Sequence, residues 1–433
     1  MRNKFLAVAT LLVASFHLQA ATDDPFVVHE WGTFTTVHGA NGEQIWWLPP
    51  ASVDLPDFVY RPDFAYRSDS GVKAPAKPIL YPKDQLALAR METPVIYFYS
   101  QRERVADVRV QFLGGFLTEW YPQATHAESE IGTNGALEAD QWKFLIAWQG
   151  VKVLARDTRE MTLDQLIRSG TGDGDHYYIA RETDANFLQV SSPLARKRPE
   201  HERDLFYRGL GYFQAPLQVA MNADERRVAL QAREAEQIEA AFVLTVRQGM
   251  MRYQKRVARL SKAATTIELD TQPFGALTDV RQQAMRDMVA ALVEQGLFEK
   301  EARAMVNTWQ DQWFAEEGTR VLYLLPRAWT DRKLPLQISP QPDEVVRVMV
   351  GRAELITPTN ERDLKQQILT FKSGDAKAKG RAVADTRALG LGRFLYAAVS
   401  RVTAGEQDEA VTNAAWELFA ATNVREDGRS ARN

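Results

Sequence analysis

The sequence contains no cysteine, and this absence removes several kinds of chemistry. None of the 433 residues is Cys. A thiol nucleophile, a thiolate-bound zinc ion and a chain-held iron–sulfur cluster are therefore excluded. A metal would need His, Asp, Glu or carbonyl ligands. A chain of this length can bury a core without disulfides, so export to an oxidising compartment stays compatible with the composition.

Long apolar runs and clusters of one charge are also scarce. Beyond the N-terminus, no apolar run approaches the about 20 residues that a membrane-spanning helix needs. The net charge is −3, and the one short basic run, Arg196–Arg198, adjoins a proline. A balanced, slightly acidic chain has no electrostatic reason to bind nucleic acid. We expect no nucleic-acid partner, and no transmembrane segment once a signal peptide is removed.

Several motifs of nucleotide binding and hydrolysis are missing. The sequence has no Gly-x-Gly-x-x-Gly, no phosphate-binding loop, no His-Glu-x-x-His and no Gly-x-Ser-x-Gly. It also shows no repeat of fixed period. A serine triad stays open, because its members are recognised by geometry and not by their order in the chain.

The N-terminus has the pattern of a cleavable signal peptide. Two basic residues, Arg2 and Lys4, precede an apolar stretch from Phe5 to Leu18, and small residues follow. This pattern predicts a signal peptide over residues 1–20, with cleavage after Ala20. We expect an exported protein in the periplasm or the external medium; a retained anchor helix is the alternative.

The mature chain divides into two patterns, which predict an α+β fold. Many short aromatic and β-branched runs separated by turns predict a β-rich, sandwich-like, antiparallel domain over residues 21–272. Helical periodicity then predicts a smaller, helix-rich α/β domain over residues 273–423 and a frayed tail over 424–433. Asn41-Gly42 predicts a hairpin turn, Thr278 a helix N-cap and Gly296 the end of that helix.

Several phrases resemble an uncharacterised family of secreted bacterial proteins. The first is His-Glu-Trp-Gly-Thr-Phe-Thr, residues 29–35, at the start of the mature chain. Four further similar phrases span nearly the whole mature chain, at residues 91–99, 205–211, 313–319 and 346–352. The resemblance implies export and one shared architecture. It implies no activity, cofactor or catalytic residue.

Two glutamates are candidate acids or bases. In a strand over residues 26–37, Glu30 lies on the apolar face, where a carboxylate needs a partner or its pKa rises. Glu119 repeats the Glu-Trp pairing on another strand, so the two form a hypothetical glycosidase pair. A structural ion pair with an arginine is the alternative for Glu30.

Aromatic and polar residues on the first strand and the next loop are candidate ligand contacts. His29 and Trp31 share the other strand face and would line a sugar-binding surface. Tyr60 and Tyr66 belong to a loop of interleaved acids and aromatics, which suits carbohydrates. A surface loop docked by its own side chains explains the same pattern.

One glycine-rich loop is a candidate metal site. Asp173 and Asp175 supply oxygen ligands that suit calcium, and His176 would favour a transition metal such as zinc. The loop does not match the EF-hand pattern, and a simple turn explains its Gly and Asp content equally well.

The sequence leaves two function classes open and does not decide whether the protein is an enzyme. One is an exported binding or structural protein that holds a glycan or another partner in the cell envelope. The other is a secreted hydrolase, with or without a divalent metal, that acts on an extracellular polymer. Aromatic-rich strands and the missing catalytic motifs favour the first.

Overall fold

The computed structural model describes most of the chain and has the predicted α+β fold. It describes residues 24–49, 55–61, 87–130, 142–156, 162–163, 166–167, 175–235 and 237–423. Antiparallel sheets dominate the N-terminal part and helices dominate the C-terminal part, so the fold-class prediction is confirmed. The predicted signal peptide, 1–20, and the predicted tail, 424–433, lie outside the described residues.

A ten-stranded sheet, counted over the described residues, forms the centre of the molecule. Its strands, in chain order, are β1 (Val27–Gly39), β2 (Gln44–Ile45), β3 (Ala89–Tyr99), β5 (Gly115–Tyr121), β10 (Leu205–Gly211), β13 (Ile238–Arg247), β14 (Met250–Leu260), β16 (Gly275–Ala276), β17 (Gly318–Leu324) and β19 (Glu344–Ile356). Apart from β2, which pairs with β1, the order across the sheet is β16-β14-β13-β17-β19-β1-β3-β10-β5. Strand β1 is therefore buried between two neighbours.

Strand β1 joins the two ends of the chain. It pairs in parallel with β19 along its whole length and antiparallel with β3. The parallel pairing departs from the antiparallel order expected from the sequence. Because β17 and β19 follow residue 272 and β1 precedes it, the predicted domain boundary falls within one continuous sheet.

Two smaller sheets complete the β part of the described chain. A six-stranded sheet contains β4 (Arg104–Leu113), β6 (His126–Glu130), β7 (Lys143–Val153), β8 (Leu188–Val190), β9 (Glu200–Glu202) and β18 (Leu336–Ser339). A three-stranded sheet contains β11 (Leu217–Met221), β12 (Arg227–Ala232) and β15 (Thr265–Glu268). Phe34 and Phe116 of the large sheet contact Phe112 and Phe144 of the six-stranded sheet, so the core lies between these two layers.

Nine α-helices occur in the described residues. They are α1 (Asp175–Ile179), α2 (Leu277–Glu294), α3 (Glu299–Thr308), α4 (Gln310–Phe314), α5 (Arg327–Lys333), α6 (Pro358–Ser373), α7 (Ala376–Ala388), α8 (Leu395–Thr403) and α9 (Glu409–Thr422). Helices α6 to α9 enclose a second apolar cluster, which includes Ile356 at the end of β19 and Trp47 just after β2. In the described part of the chain, no helix is both long and apolar enough to cross a membrane.

Of the three local sequence signals, two are confirmed and one is wrong. The Asn41-Gly42 turn is confirmed, because β2 folds back on β1 and Gly42 adopts a φ of 81° that suits glycine. Gly296 follows the end of α2, as predicted, with a φ of 103°. The Thr278 N-cap is wrong. Strand β16 continues to Ala276 and the Leu277 N–H donates to Gly249 O, so strand pairing sets the start of the helix.

Candidate functional site

Neighbouring residues on β1 face different environments. Successive side chains on a strand point to opposite faces of a sheet. Glu30 lies near Arg347 of β19 and Tyr207 of β10, whereas His29 lies near Glu301 of α3. Both side chains are buried. The strand therefore carries two polar groups into two separate buried sites.

Glu30 is held in a closed ion pair. Its Oε2 accepts from Arg347 Nε at 2.5 Å, and its Oε1 accepts from the Tyr207 hydroxyl. Arg347 Nη1 also donates to Asp331 at 2.7 Å. Because Glu30 is 0% exposed, this geometry gives it no access to a substrate. The arrangement is the structural ion pair that the sequence analysis set against a catalytic role.

Glu119 does not meet Glu30. Strands β1 and β5 are separated by β3 and β10, which places the two strands roughly 14 Å apart across three strand spacings. Glycosidase pairs are about 5 to 9.5 Å apart. Glu119 is buried beside the Thr118 hydroxyl, which donates to it. The structure does not bring the two residues together as an acid–base pair.

His29 forms a hydrogen-bonded chain with two other side chains. Its Nδ1 lies 2.6 Å from Glu301 Oε2, and the Tyr99 hydroxyl donates to Glu301 Oε1 at 2.6 Å. The backbone N–H of Phe298 also donates to Glu301 Oε2, at 2.9 Å. Glu301 therefore holds the imidazole, the phenol and the first turn of α3 together.

A pocket adjoins this chain. It has a volume of about 420 Å³, and Tyr99, Phe298 and Glu301 contribute to its lining. The remaining lining residues are charged: Arg156, Asp184, Glu299 and Lys300. We call this cavity the α3 pocket. Its volume falls in the range of small-molecule sites.

Phe298 separates His29 from the α3 pocket. Its ring centroid lies 4.4 Å from that of His29 and 4.8 Å from that of Tyr99, in an edge contact with the latter. Phe298 is 47% exposed, whereas His29 is 1% exposed. The half-exposed ring of Phe298 thus packs directly on the buried imidazole of His29.

The surroundings of the pocket keep the Tyr99 hydroxyl protonated, and charged residues in the lining form ion pairs. Burial, followed by the negative charge of Glu301, raises the pKa of Tyr99 far above its usual value, so its hydroxyl stays a donor. Lys300 pairs with Asp184 at 2.6 Å, and Glu299 pairs with Arg303 at 2.6 Å. The pocket offers charges of both signs, with no strong excess of either.

The other ligand candidates lie apart from this pocket. Trp31 is 0% exposed and packs against Tyr97. Tyr60 is buried, and its hydroxyl donates to Glu200 at 2.6 Å, which is the docked-loop arrangement. Burial, then the hydrogen bond to Glu200, raises the pKa of Tyr60 above its usual range. Tyr66 lies outside the described residues.

The predicted metal loop falls mostly where the structure gives no description. Asp173 lies outside the described residues, and of Asp175 and His176 only the backbone, at the start of α1, is described. Elsewhere in the described chain, no group of three or more His, Asp or Glu residues is placed to hold a metal ion. The calcium or zinc hypothesis stays a prediction.

Residues from the first three of the five sequence phrases, at 29–35, 91–99 and 205–211, meet in a buried polar cluster. Thr35 donates to Glu92 of β3 at 2.8 Å, and Arg208 of β10 lies 3.7 Å from the same carboxylate. Thr93 has a φ of 47°, where β3 bulges opposite Gly32. A Cβ on Gly32 would lie 2.8 Å from Pro94 Cα, which explains the glycine in the opening phrase.

The two later phrases join the same cluster through one arginine. Arg393 lies 3.4 Å from Glu92 and 3.6 Å from Glu316. Glu316 in turn pairs with Arg352 of β19 at 2.7 Å. Residues from all five phrases thus lie in one connected network of ion pairs, which Thr35 joins by a hydrogen bond. The network connects Glu316 and Arg393, from the helix-rich C-terminal part, to strands of the large sheet.

Sequence reasoning missed Glu301 and Phe298, which contact His29 and also line the pocket. Glu301 and Phe298 lie about 270 residues from His29 along the chain, and no local pattern connects them. One signal was present. Gly296 ends a helix and Glu299 and Glu301 follow at once, which is the acidic first turn of a new helix.

Comparisons with known proteins add little. No protein-family model matches the chain, and no curated protein matches it. Among solved structures, the chain is similar to the Fcho1 Mu homology domain of Danio rerio with a bound Eps15 peptide, at 9% identity. The match covers 76% of this chain and 97% of that chain, with a TM-score of 0.27. A TM-score this low supports no argument about fold or function.

Proposed function

We propose that the protein is an exported, glycan-binding protein of the cell envelope, and that its ligand occupies the α3 pocket. The observation that carries the proposal is the half-exposed ring of Phe298 in a pocket with a charged lining. Binding sites combine apolar and aromatic walls with a few polar groups that fix the orientation of the ligand.

The aromatic wall supports a ligand with an apolar face. Phe298 and Tyr99 meet edge to face, so the two rings form an aromatic corner at the pocket. A sugar ring presents C–H groups on one face and hydroxyls at its edge. The C–H face would contact Phe298, which gains from burial of its exposed surface.

The charged lining supports hydroxyl groups as the polar partners. Asp184 and Glu299 accept hydrogen bonds, and Lys300 and Arg156 donate them. Because charges of both signs are present, a neutral ligand with many hydroxyls satisfies the lining better than a strongly charged one. These features favour a glycan over a nucleotide or a polyanion.

Export is proposed from the N-terminal pattern and from the family resemblance. Expression of the full chain in a bacterial host should give a processed protein in the periplasm or the medium. N-terminal sequencing should find Ala21 as the first residue. An unprocessed chain that stays in the cell would contradict this part of the proposal.

The binding proposal is tested by calorimetry with soluble peptidoglycan fragments and with oligomers of N-acetylglucosamine. Phe298→Ala should weaken binding at least about tenfold, equivalent to about 1.4 kcal/mol. Phe274→Ala is the matched control, because Phe274 is also an exposed Phe, 38% exposed, and does not line the pocket. Equal affinities for the wild type and Phe298→Ala, or no binding of either glycan class, would overturn the proposal.

A further inference from the structure

The hydrogen bonds around Glu301 determine which nitrogen of His29 carries the proton. An ionised carboxylate only accepts hydrogen bonds. Glu301 Oε2 lies 2.6 Å from His29 Nδ1, and the carboxylate also accepts from Tyr99 and from the Phe298 backbone. With the proton on Nδ1, the other nitrogen, Nε2, keeps a free lone pair. This is how a carboxylate prepares an imidazole to act as a base.

Within the described residues, the lone pair on His29 Nε2 accepts no hydrogen bond. Among the described residues, the hydrogen bond to Glu301 is the one that the His29 ring makes. Three of the residues that surround the ring, Tyr99, Phe298 and Glu301, also line the α3 pocket. The imidazole therefore lies directly behind the wall of the pocket.

Phe298 is placed to control access to that imidazole. It immediately precedes the first turn of α3, and its ring is about half exposed while it covers His29. Rotation of an exposed side chain needs no change in the fold and takes place on a fast timescale. A ligand that displaces the ring would meet His29.

We infer that His29 is a general base, covered by Phe298 and held by Glu301, that hydrolyses an ester group on an O-acylated glycan bound in the α3 pocket. The inference rests on the proposed glycan function and adds a reaction to it. In this reaction His29 touches the reacting water, so it is the catalytic residue. Glu301 acts through His29 and is a positioning residue.

The proton and bond changes balance with water as the only co-reactant. Water loses a proton to His29 Nε2 while its oxygen bonds to the acyl carbon. The bond between the acyl carbon and the sugar oxygen then breaks, and His29 returns the proton to that oxygen. The products are a free hydroxyl on the glycan and a carboxylic acid. Arg156 and Lys300 in the pocket lining can stabilise the negative charge that develops on the acyl oxygen.

An ester is the bond class that this arrangement fits. Hydrolysis of a glycosidic bond generally uses two carboxyl groups that flank the bond. The pair at His29 provides one base with one orienting carboxylate, which is sufficient to activate water toward an ester carbonyl.

The first experiment measures the accessibility of His29 with diethyl pyrocarbonate, which acylates neutral imidazoles, and locates the modified residues by mass spectrometry. His126, which is exposed, should react in every variant, and His38, which is fully buried, should not. Phe298→Ala should make His29 react several-fold faster, and Phe274→Ala should not. If His29 reacts no faster in folded Phe298→Ala, the inference is overturned.

The second experiment measures hydrolysis of para-nitrophenyl acetate and of an O-acetylated glycan. His29→Gln should lose about a hundredfold in rate, a usual share for general-base catalysis, while His126→Gln keeps the wild-type rate. Glu301→Gln should lower the rate and displace the midpoint of the pH–rate profile, which a purely structural role would not do. Equal rates for His29→Gln and the wild type would contradict the inference.

The two proposals fail in distinguishable ways. Loss of glycan binding in Phe298→Ala together with an unreactive His29 would leave the binding proposal standing and overturn the general base. A reactive His29 and a His29-dependent esterase rate, with no glycan bound, would overturn the glycan as the ligand and retain the base. Because Phe298 is a surface residue, its variant reports on His29 even if His29→Gln does not fold.

Discussion

Two adjacent residues on opposite faces of β1, His29 and Glu30, lie in buried sites of different kinds. Glu30 is enclosed by Arg347 and Tyr207 and is fully buried. His29, the preceding residue, is held by Glu301 behind a single half-exposed ring. Both sites are buried carboxylate pairs, and the second adjoins the α3 pocket.

The difference shows that burial of an ionisable group does not by itself indicate a functional site. A carboxylate on an apolar strand face needs a partner, and Glu30 has a guanidinium from the strand beside it in the sheet. What separates the two sites is the neighbouring layer. On the Glu30 face, Phe34 packs against Trp329 of α5 and Phe112 of the six-stranded sheet. On the other face, His29 contacts Phe298 and Glu301 at the start of α3.

The largest expected effect comes from breaking the closed pair. Arg347→Ala leaves Glu30 buried without its partner and should reduce the free energy of unfolding by about 3 to 5 kcal/mol in urea titrations. The double variant Glu30→Leu with Arg347→Met should recover most of this loss, because an apolar pair needs no partner. Arg362→Ala, at an exposed pair, should cost about 1 kcal/mol or less.

If Arg347→Ala and Arg362→Ala were equally mild, the Glu30 site would not be a closed structural pair. The contrast between the two faces of β1 would then disappear.

A third polar residue of β1, His38, should give the stability a distinct pH dependence. Burial, and then the positive charge of Arg233, lowers the pKa of His38 to about 3. The unfolded chain binds the proton near pH 6.5, so this contribution is complete above about pH 6.5 and is lost as the pH falls toward 3. The slope should reach about 1.4 kcal/mol per pH unit.

Urea titrations of the wild type and His38→Gln between pH 7 and pH 4 measure this contribution. The variant should lack it, whereas His126→Gln, at an exposed pair, should follow the wild type. Parallel curves for the wild type and His38→Gln would show that His38 is not held neutral in the folded protein.

A smaller effect is expected at Gly32 of β1, opposite the bulge in β3. Gly32→Ala places a Cβ 2.8 Å from Pro94 Cα, so the backbone must shift, at about 1 to 3 kcal/mol of stability. Gly380→Ala in α7 is the control with the opposite sign. Its Cβ meets nothing within 4 Å, and alanine favours the helix by about 1 kcal/mol. Equal stability of Gly32→Ala and the wild type would mean that the two strands do not approach as described.

The α+β class and the first hairpin could be predicted because their signals are local. Alternation over residues 26–37 and the Asn41-Gly42 turn are properties of a few neighbouring residues. The parallel pairing of β1 with β19 could not be predicted, because it joins residues about 317 positions apart. Helix α7 was missed because its alanine- and lysine-rich sequence has little apolar periodicity.

The site was predictable only in part for the same reason. The sequence identified His29 and Glu30 as two candidate residues on one strand, and it placed them on opposite faces. It named Glu30 as a candidate acid or base, with an ion pair to an arginine as the alternative, and no local pattern shows that Arg347 closes one face and Glu301 the other. Partners supplied from distant segments decide which of two adjacent residues can meet a ligand.

The most direct test of the account is a crystal structure of the mature protein soaked with a peptidoglycan fragment. The account predicts the sugar in the α3 pocket, with its ring against a displaced Phe298 and with His29 Nε2 facing it. A sugar bound at another surface, with Phe298 still packed on His29, would contradict the assignment of function to this face of β1.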